Sequence, residues 1–539
     1  MNPARRAALA SSSPSGRHAG ILIPLSAIPS TRSWGIGELP DVAWAADWLR
    51  AAGLDLLQLL PMGEMTAGQC SPYSALSAMA LDPIFISLAD LEDSAGEAAL
   101  GPAERAELAR VRIMALVDFE TVRRVKTPAL LAAYRRFRHS ECHRRSGRRR
   151  DFETYREAQA WWLADYALFR ALHARYSELP WTSWPEELRS RDARALAQAR
   201  ATLAEDILFA QYLQWVLDTQ WRRAWERSSP VAMIGDVPFT VSWDSADVWA
   251  HQDCFDLTAT VGAPPDAFSS TGQDWGLPAY RWEVMRARNY GWLRQRARRT
   301  AELYDACRID HIVGFYRTYV RPQDGRPPYF APAEIPEQVA LGENIVRIFT
   351  ETVMRVVAED LGTVPEFVRA SLARHGVPGY RVLRWERAWE TEGRPYLDPA
   401  SYPPLSVATS GTHDVESLAD WWDALPVEER RQVCLIPALE NLPEALVRSA
   451  YCPEIRDALL HALFASGSDL LVLPIQDVFG WRGQINRPGV ASEENWTYRL
   501  PWPSDRLGTE PEAVNRAQVL REWSEGSGRA GGGAGRGAD

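Results

Sequence analysis

Three carboxylates stand at the ends of short apolar runs: Asp310 in Arg308-Ile309-Asp310-His311 and Glu359 in Ala358-Glu359-Asp360-Leu361-Gly362 directly follow theirs, and a further run leads into Asp414 in Gly411-Thr412-His413-Asp414. Such a run ending in an acid reads as a buried strand that delivers a carboxylate at its C-terminal end. Arg308 and Asp310 are two apart, so on a strand they share a face, and the guanidinium favours the ionised acid. An ionised, positioned Asp is what a nucleophile at an anomeric carbon requires. Its partner, the part that suits Glu359, must stay protonated to donate to a leaving oxygen. Taken singly, each of the three reads as readily as a loop cap or a surface residue. Together they share one position, the strand end, with histidines beside two of them.

The elements that would position these acids are eight apolar runs bounded by turn signals: Ile21 to Leu25, Leu54 to Leu60, Val231 to Ile234, Cys307 to Ile309, Val356 to Ala358, Tyr380 to Leu383, Leu405 to Ala408 and Leu470 to Leu473. Runs without polar alternation suit strands buried on both faces. Helical patterns lie between several of them: Asp41 to Ala52, closed by Gly53, then Tyr290 to Tyr304, Glu343 to Arg355, and Cys452 to Phe464. Thr363 to Glu366 reads as a capping box opening a further helix that stops at Gly376. The pattern predicts an α/β fold, a (β/α)8 TIM barrel. Arg394 to Pro404 is Pro-rich and irregular, so no helix is expected between the sixth and seventh runs. A segment rich in Ala, Arg, Glu and Leu between the second and third runs predicts a large, mainly helical insertion, placed at about residues 90–225. The expected organisation is a disordered segment 1–19, one catalytic barrel over 20–523, and a disordered Gly-rich tail over 524–539. In such a barrel the active site forms at the C-terminal ends of the strands, where the three acids fall.

Composition narrows the partners. The chain has 539 residues, 46% of them hydrophobic and 24% charged, as in a globular protein. A net charge of −10 disfavours a nucleic-acid partner, which needs a basic face. The Arg-rich stretch from Arg135 to Arg150 reads as a solvated surface. The 6 cysteines are scattered without a Cys-x-x-Cys pair, which fits free thiols in a reducing compartment. His139, Cys142 and His143 could converge on a metal if that segment is helical. No signal peptide and no apolar stretch of membrane-spanning length is found, so a cytoplasmic location with no membrane partner is expected.

With 23 Trp and 17 Tyr, the chain is rich in flat rings with polar edges that stack on sugars. Most of these rings belong to the core. The stretch from Ala267 to Gly276 is too polar and Gly-rich for a core strand and is expected to be a loop, with Asp266, Gln273 and Trp275 supplying one sugar subsite.

At these residues the chain resembles the 4-α-glucanotransferases of glycoside hydrolase family 77, from about Gly20 to about Trp502. The motifs are Gly-Asp-Val-Pro-Phe at 235 to 239, Asp244-Ser245-Ala246-Asp247-Val248-Trp249, Pro264-Pro265-Asp266 with the loop through Gly276, Ser71-Pro72-Tyr73, and the three carboxylate motifs. The resemblance implies a (β/α)8 barrel with helical insertions and a retaining transfer of an α-1,4-glucan segment to another glucan's 4-hydroxyl. No metal or organic cofactor is implied. By matching motif, Asp310 would be the nucleophile, Glu359 the general acid and then base, and Asp414 the transition-state stabiliser. Arg308, His311 and His413 would hold sugar hydroxyls and the nucleophile's charge. Ser71, Tyr73, Asp266, Gln273, Trp275 and Asn486 would line subsites. A retaining double displacement needs its two carboxyls about 5–5.5 Å apart, and adjacent parallel strands lie about 4.8 Å apart, so the fourth and fifth strands can deliver that spacing. The chain departs from many members at Leu277, where Asn is usual, at Val415 and Glu416, where Asn and Asp are usual, and in a shorter segment after Leu257. These departures concern the acceptor side.

Two other classes stay open on the residues alone. A barrel using the three carboxylates to hold a divalent metal for isomerisation or aldol chemistry would need a phosphate-binding loop or a Schiff-base lysine, and neither is found. A non-catalytic glucan-binding protein would need the aromatic segment and none of the acids.

Overall fold

Short strands buried on both faces sort their side chains by parity, one row into the barrel interior and the other against the surrounding helices. The computed structural model describes residues 16–142, 147–265, 272–490 and 492–529. Numbered along the chain, the barrel strands are β1 (His18–Leu22), β2 (Leu56–Gln58), β3 (Ala232–Val237), β6 (Ala306–Ile309), β9 (Arg355–Ala358), β10 (Gly379–Val382), β11 (Ser406–Thr409) and β12 (Leu470–Pro474). They close in the order β1-β12-β11-β10-β9-β6-β3-β2 with every pair parallel. Each apolar run picked out in the sequence overlaps one of these strands.

The interior row includes Leu22, Leu56, Ala232, Ile234, Ala306, Val357, Tyr380, Val382, Val407 and Leu470. Their neighbours Ile21, Leu57, Met233, Cys307, Val356 and Ala408 pack outward into the larger core. Parity then carries Asp236, Arg308, Asp310 and Glu359 into the interior row at its C-terminal end. Close approach sets one position in particular: a Cβ on Gly379 would stand 2.5 Å from both carboxylate oxygens of Asp360, so only glycine lets β10 begin against that buried acid.

Helices cover the barrel, among them Val42–Ala51, Gly291–Leu303, Ile335–Thr350, Glu366–Arg374 and Pro453–Phe464. The helix expected over Glu343 to Arg355 starts earlier, with Pro336 in its first turn, and Arg355 belongs to β9. The capping box expected at Thr363 does not form: Pro365 is the N-cap and no side chain caps the helix. Only a short 3-10 turn, Pro399–Ser401, stands between β10 and β11. The insertion between β2 and β3 is helical, running from Pro102–Ile113 and Phe119–Cys142 to the long helix Ala204–Arg227. Part of the Arg-rich stretch is not simply solvated. Arg148 pairs with Asp93 at 2.6 Å and lies over the rings of Phe137 and Trp215.

Three further expectations are corrected. From Gln273 the polar segment is a strand and not a loop: β4 (Phe255–Ala263), β5 (Gln273–Tyr280), β7 (Thr318–Pro322) and β8 (Tyr329–Ala331) form an antiparallel sheet in the order β5-β4-β7-β8. β5 is an edge strand, exposed over its first residues, and an edge tolerates polar side chains and glycine that a central strand would not. The tail, expected to be disordered from 524, instead continues as the helix Pro511–Gly526, and Arg529 is fully buried. Its guanidinium donates to the carbonyls of Phe464, Ser466 and Ser468, an anchor that composition does not reveal. At the other end, β1 begins at His18, inside the segment expected to be disordered.

Candidate active site

β6 and β9 are neighbours in register, Ile309 opposite Ala358, so Asp310 and Glu359 emerge side by side from the two strand ends. Hydrogen bonds hold the pair of ends together: Glu359 N–H donates to Ile309 O (2.9 Å), and Asp310 N–H donates to Val237 O of β3 (3.0 Å). His311 then takes a left-handed conformation, φ +44°, which is strained for a residue with a Cβ. The turn aims its backbone N–H at Glu359 Oε2, 2.7 Å away.

Arg308 lies opposite Asp236 across β3 and β6. Its Nη1 reaches both Asp236 Oδ2 (2.8 Å) and Asp310 Oδ1 (2.9 Å), so one buried cation serves two carboxylates. Tyr73 O–H donates to Asp236 Oδ2 (3.0 Å), and its oxygen accepts from His413 Nε2–H (3.0 Å) in the tautomer this network requires. The two rings stack at 5.5 Å. His413 Nε2 also approaches Asp414 Oδ2 at 3.3 Å. Asn486 holds the third acid from the far side: its Nδ2 donates to Asp414 Oδ1 (2.6 Å) and its backbone N–H to His413 O (3.0 Å). A continuous polar chain thus joins Asp310, Arg308, Asp236, Tyr73, His413, Asp414 and Asn486.

Burial sets the protonation states. For Glu359 burial is the largest influence. With the negative charges of Asp310 and Asp360 it outweighs Arg308 and the His311 N–H, and the carboxyl is pushed up to about 8. Burial likewise raises Asp236 to about 6 against the pull of Arg308. The His311 imidazole is lowered to about 4 by burial, against the opposing charge of Asp310, and is neutral near pH 7. Glu359, raised by burial, thus stands beside an Asp310 that is paired with a guanidinium.

Of the residues singled out in the sequence, Asp310, Glu359, Asp414, Tyr73, Arg308, His311, His413 and Asn486 meet in this network. Ser71 opens the turn that delivers Tyr73, its carbonyl accepting from Ser74 N–H (3.1 Å). Trp275 stands edge-on to His311 with centroids 4.7 Å apart, and Gln273 Oε1 accepts from its Nε1–H (3.0 Å). Asp266 lies outside the described residues, as does His143 of the candidate metal trio. Among the described residues no group of three or more His, Cys, Asp or Glu is placed to hold a metal ion. Asp236 was quoted within its motif but not singled out, and Gln58 and Tyr380, hydrogen-bonded at 3.2 Å beneath the site, were missed. Interior parity from Ala232 and Ile234 points to Asp236, whereas nothing local marks the other two.

The closed parallel barrel carries the Arg308-paired Asp310, the neighbouring Glu359 and a third acid, Asp414, at its C-terminal rim, an arrangement that can do chemistry at glycosidic bonds. The family model of the 4-α-glucanotransferases of glycoside hydrolase family 77 matches residues 23–504. A 4-α-glucanotransferase of Thermus thermophilus is 34% identical over 533 residues, 94% of this chain and 98% of that protein. One from Chlamydia pneumoniae is 31% identical over 494 residues, 89% of this chain and 91% of that protein. The amylomaltase of Streptococcus agalactiae, solved in complex with acarbose, superposes with a TM-score of 0.80 at 26% identity, covering 96% of this chain and all of that one. The chain belongs to glycoside hydrolase family 77, and it is a hexosyl-transferring enzyme of the 4-α-glucanotransferase class.

Proposed function

We propose that the enzyme transfers an α-1,4-glucan segment, with retention, from a maltooligosaccharide or starch donor to the 4-hydroxyl of an acceptor glucan or glucose. Asp310 attacks the anomeric carbon and forms the glycosyl-enzyme while Glu359 protonates the departing 4-oxygen. Glu359, now a base, takes the proton from the incoming 4-hydroxyl as that oxygen displaces Asp310. Asp414 stabilises the positive charge that develops on the sugar between these states. Arg308 and His311 hold the nucleophile and sugar hydroxyls, as does His413. Ser71, Tyr73, Asp266, Gln273, Trp275 and Asn486 line the subsites. No cofactor enters the scheme.

The observation that carries the proposal is the adjacency of two strand ends in different surroundings, Asp310 paired with Arg308 at 2.9 Å and Glu359 beside it raised by burial. The acarbose bound by the streptococcal relative supports a glucan-like substrate. A cytoplasmic setting is supported by the free thiols Cys70, Cys254, Cys307, Cys434 and Cys452, and among the described residues no helix is long and apolar enough to cross a membrane. Incubation with maltotriose alone tests the reaction type: the expected products are glucose together with longer maltodextrins, and glucose with only shorter products would refute transfer.

A further inference from the structure

β10 supplies no acid to the site, yet it stands between β9 and β11, the strands that lead to Glu359 and Asp414. Arg384, two residues beyond its end, is 5% exposed. Its Nε–H donates to Ser410 O (3.0 Å) and its Nη1–H to Glu416 O (3.0 Å), while Nη1 also pairs with the Glu416 carboxylate at 3.1 Å. Ser410 and Glu416 bracket the Gly411-Thr412-His413-Asp414 turn. One guanidinium therefore ties the entry of that turn to its exit. Its guanidinium carbon lies 5.4 Å from the centroid of the Trp421 ring.

A buried acid laces the same turn with opposite charge. Asp477 Oδ2 accepts from Ser410 Oγ–H (2.6 Å) and its Oδ1 from Leu418 N–H (2.7 Å). Within the turn, Val415 offers no polar side chain. The turn is closed at Gly411, where a Cβ would meet Val415 Cγ2 at 2.8 Å and Arg384 Nη2 at 3.1 Å. Asn486 orients the Asp414 carboxylate, but the path of the backbone beneath it is fixed by Arg384 and Asp477.

We propose that Arg384 is a positioning residue that acts through Asp414: its three bonds to Ser410 and Glu416 hold the turn so that the Asp414 carboxylate meets the charge developing on the sugar. This rests on the transition-state role proposed above for Asp414. Arg384 is buried and bonds the backbone of the turn, so under this proposal it should affect turnover more than donor binding. Lysine would keep the charge but not the fork that spans two carbonyls.

The test is a double-mutant cycle on the full chain, with kcat and KM measured on maltotriose and α-maltotriosyl fluoride for Arg384→Ala, Asp414→Asn and the double variant. Arg384→Ala is expected to lower kcat by about ten- to a hundredfold, the scale of an ångström of misplacement, with KM within about twofold. In the Asp414→Asn background the same change is expected to cost less than about twofold, because its effect runs through the missing carboxylate. Added guanidinium ion should restore part of the kcat of Arg384→Ala and none of that of the double variant. An undiminished kcat in Arg384→Ala, or an equal loss in both backgrounds, would overturn the inference and leave Arg384 as a stability residue. If Arg384→Ala does not fold, Glu416→Ala, at a side chain 45% exposed, is run through the same cycle. It is expected to lose kcat several-fold in the wild-type background alone, and equal losses or none overturn the inference. Near-normal turnover in Asp414→Asn would instead refute the role of Asp414 itself, a failure separate from that of Arg384.

Discussion

Asp310 and Glu359 leave adjacent strand ends side by side, and their surroundings differ. Arg308 sits on Asp310, whereas Glu359 is raised to about 8 mainly by burial. The sign of the pH dependence follows. In the mechanism proposed above Glu359 donates a proton in the first step, so that step requires its protonated form, which is lost as pH rises through about 8. On a maltooligosaccharide donor, kcat/KM should therefore fall about tenfold per pH unit above that value. With α-maltotriosyl fluoride, whose leaving fluoride does not need the proton, the alkaline limb should disappear; a limb identical for both donors would assign it to another group. The three acids, Arg308 and both histidines were legible in the sequence because each sits within a few residues of an apolar run. Asp236 was less so, since its part depends on lying opposite Arg308 across two strands distant in the chain.

At the scale of elements, the insertion is tied to the barrel rim by a buried histidine. His173, in the helix Ala160–Arg175, places Nε2 2.8 Å from Asp244 and Nδ1 2.8 Å from Glu178. Burial alone would lower its pKa, but the hydrogen bonds it donates to both carboxylates outweigh it and lift the imidazole to about 9. A group raised above its ordinary value of about 6.5 stabilises the fold fully below that pH and loses the contribution as pH rises through 9. Asp244→Asn should accordingly lower Tm by roughly 1–3 °C at pH 6, with the deficit shrinking by pH 9.5. A deficit independent of pH, read by differential scanning calorimetry, would show that the tether does not depend on the charged imidazole. The barrel strands were readable because burial on both faces leaves an unbroken apolar run. β5 was not, because an edge strand with Gln273, Asp274 and Gly276 has the composition of a loop and gains its order from β4. Pairing partners far along the chain decide such segments, and local composition is silent about them.

For the whole molecule, the barrel with its insertion between β2 and β3 followed from the order of apolar and helical patterns, since each barrel strand specifies its own burial. The closing contacts of the chain did not follow. Arg529 looked like part of a Gly-rich end, yet its guanidinium also donates to the carbonyls of His18 and Asp469, stitching the C-terminal helix to the start of β1 and the lead-in to β12. Arg529→Ala would leave several buried carbonyls short of a donor and should cost about 2–4 kcal/mol. Urea unfolding would register the loss, and an unchanged midpoint would mean that water replaces the guanidinium. The substrate side follows the same division. Residues on rigid strand ends could be read from sequence, whereas the surroundings of Leu277 and Val415, expected to concern the acceptor, depend on how β5 and the Asp414 turn pack.

The identity of the nucleophile is tested most directly by trapping the glycosyl-enzyme. Glu359→Gln should still accept the glycosyl group from α-maltotriosyl fluoride but release it slowly, so mass spectrometry of the digested protein should find a maltotriosyl adduct on the peptide that contains Asp310, and none after Asp310→Asn. An adduct on another carboxylate, or fluoride release at an undiminished rate from Asp310→Asn, would contradict the mechanism.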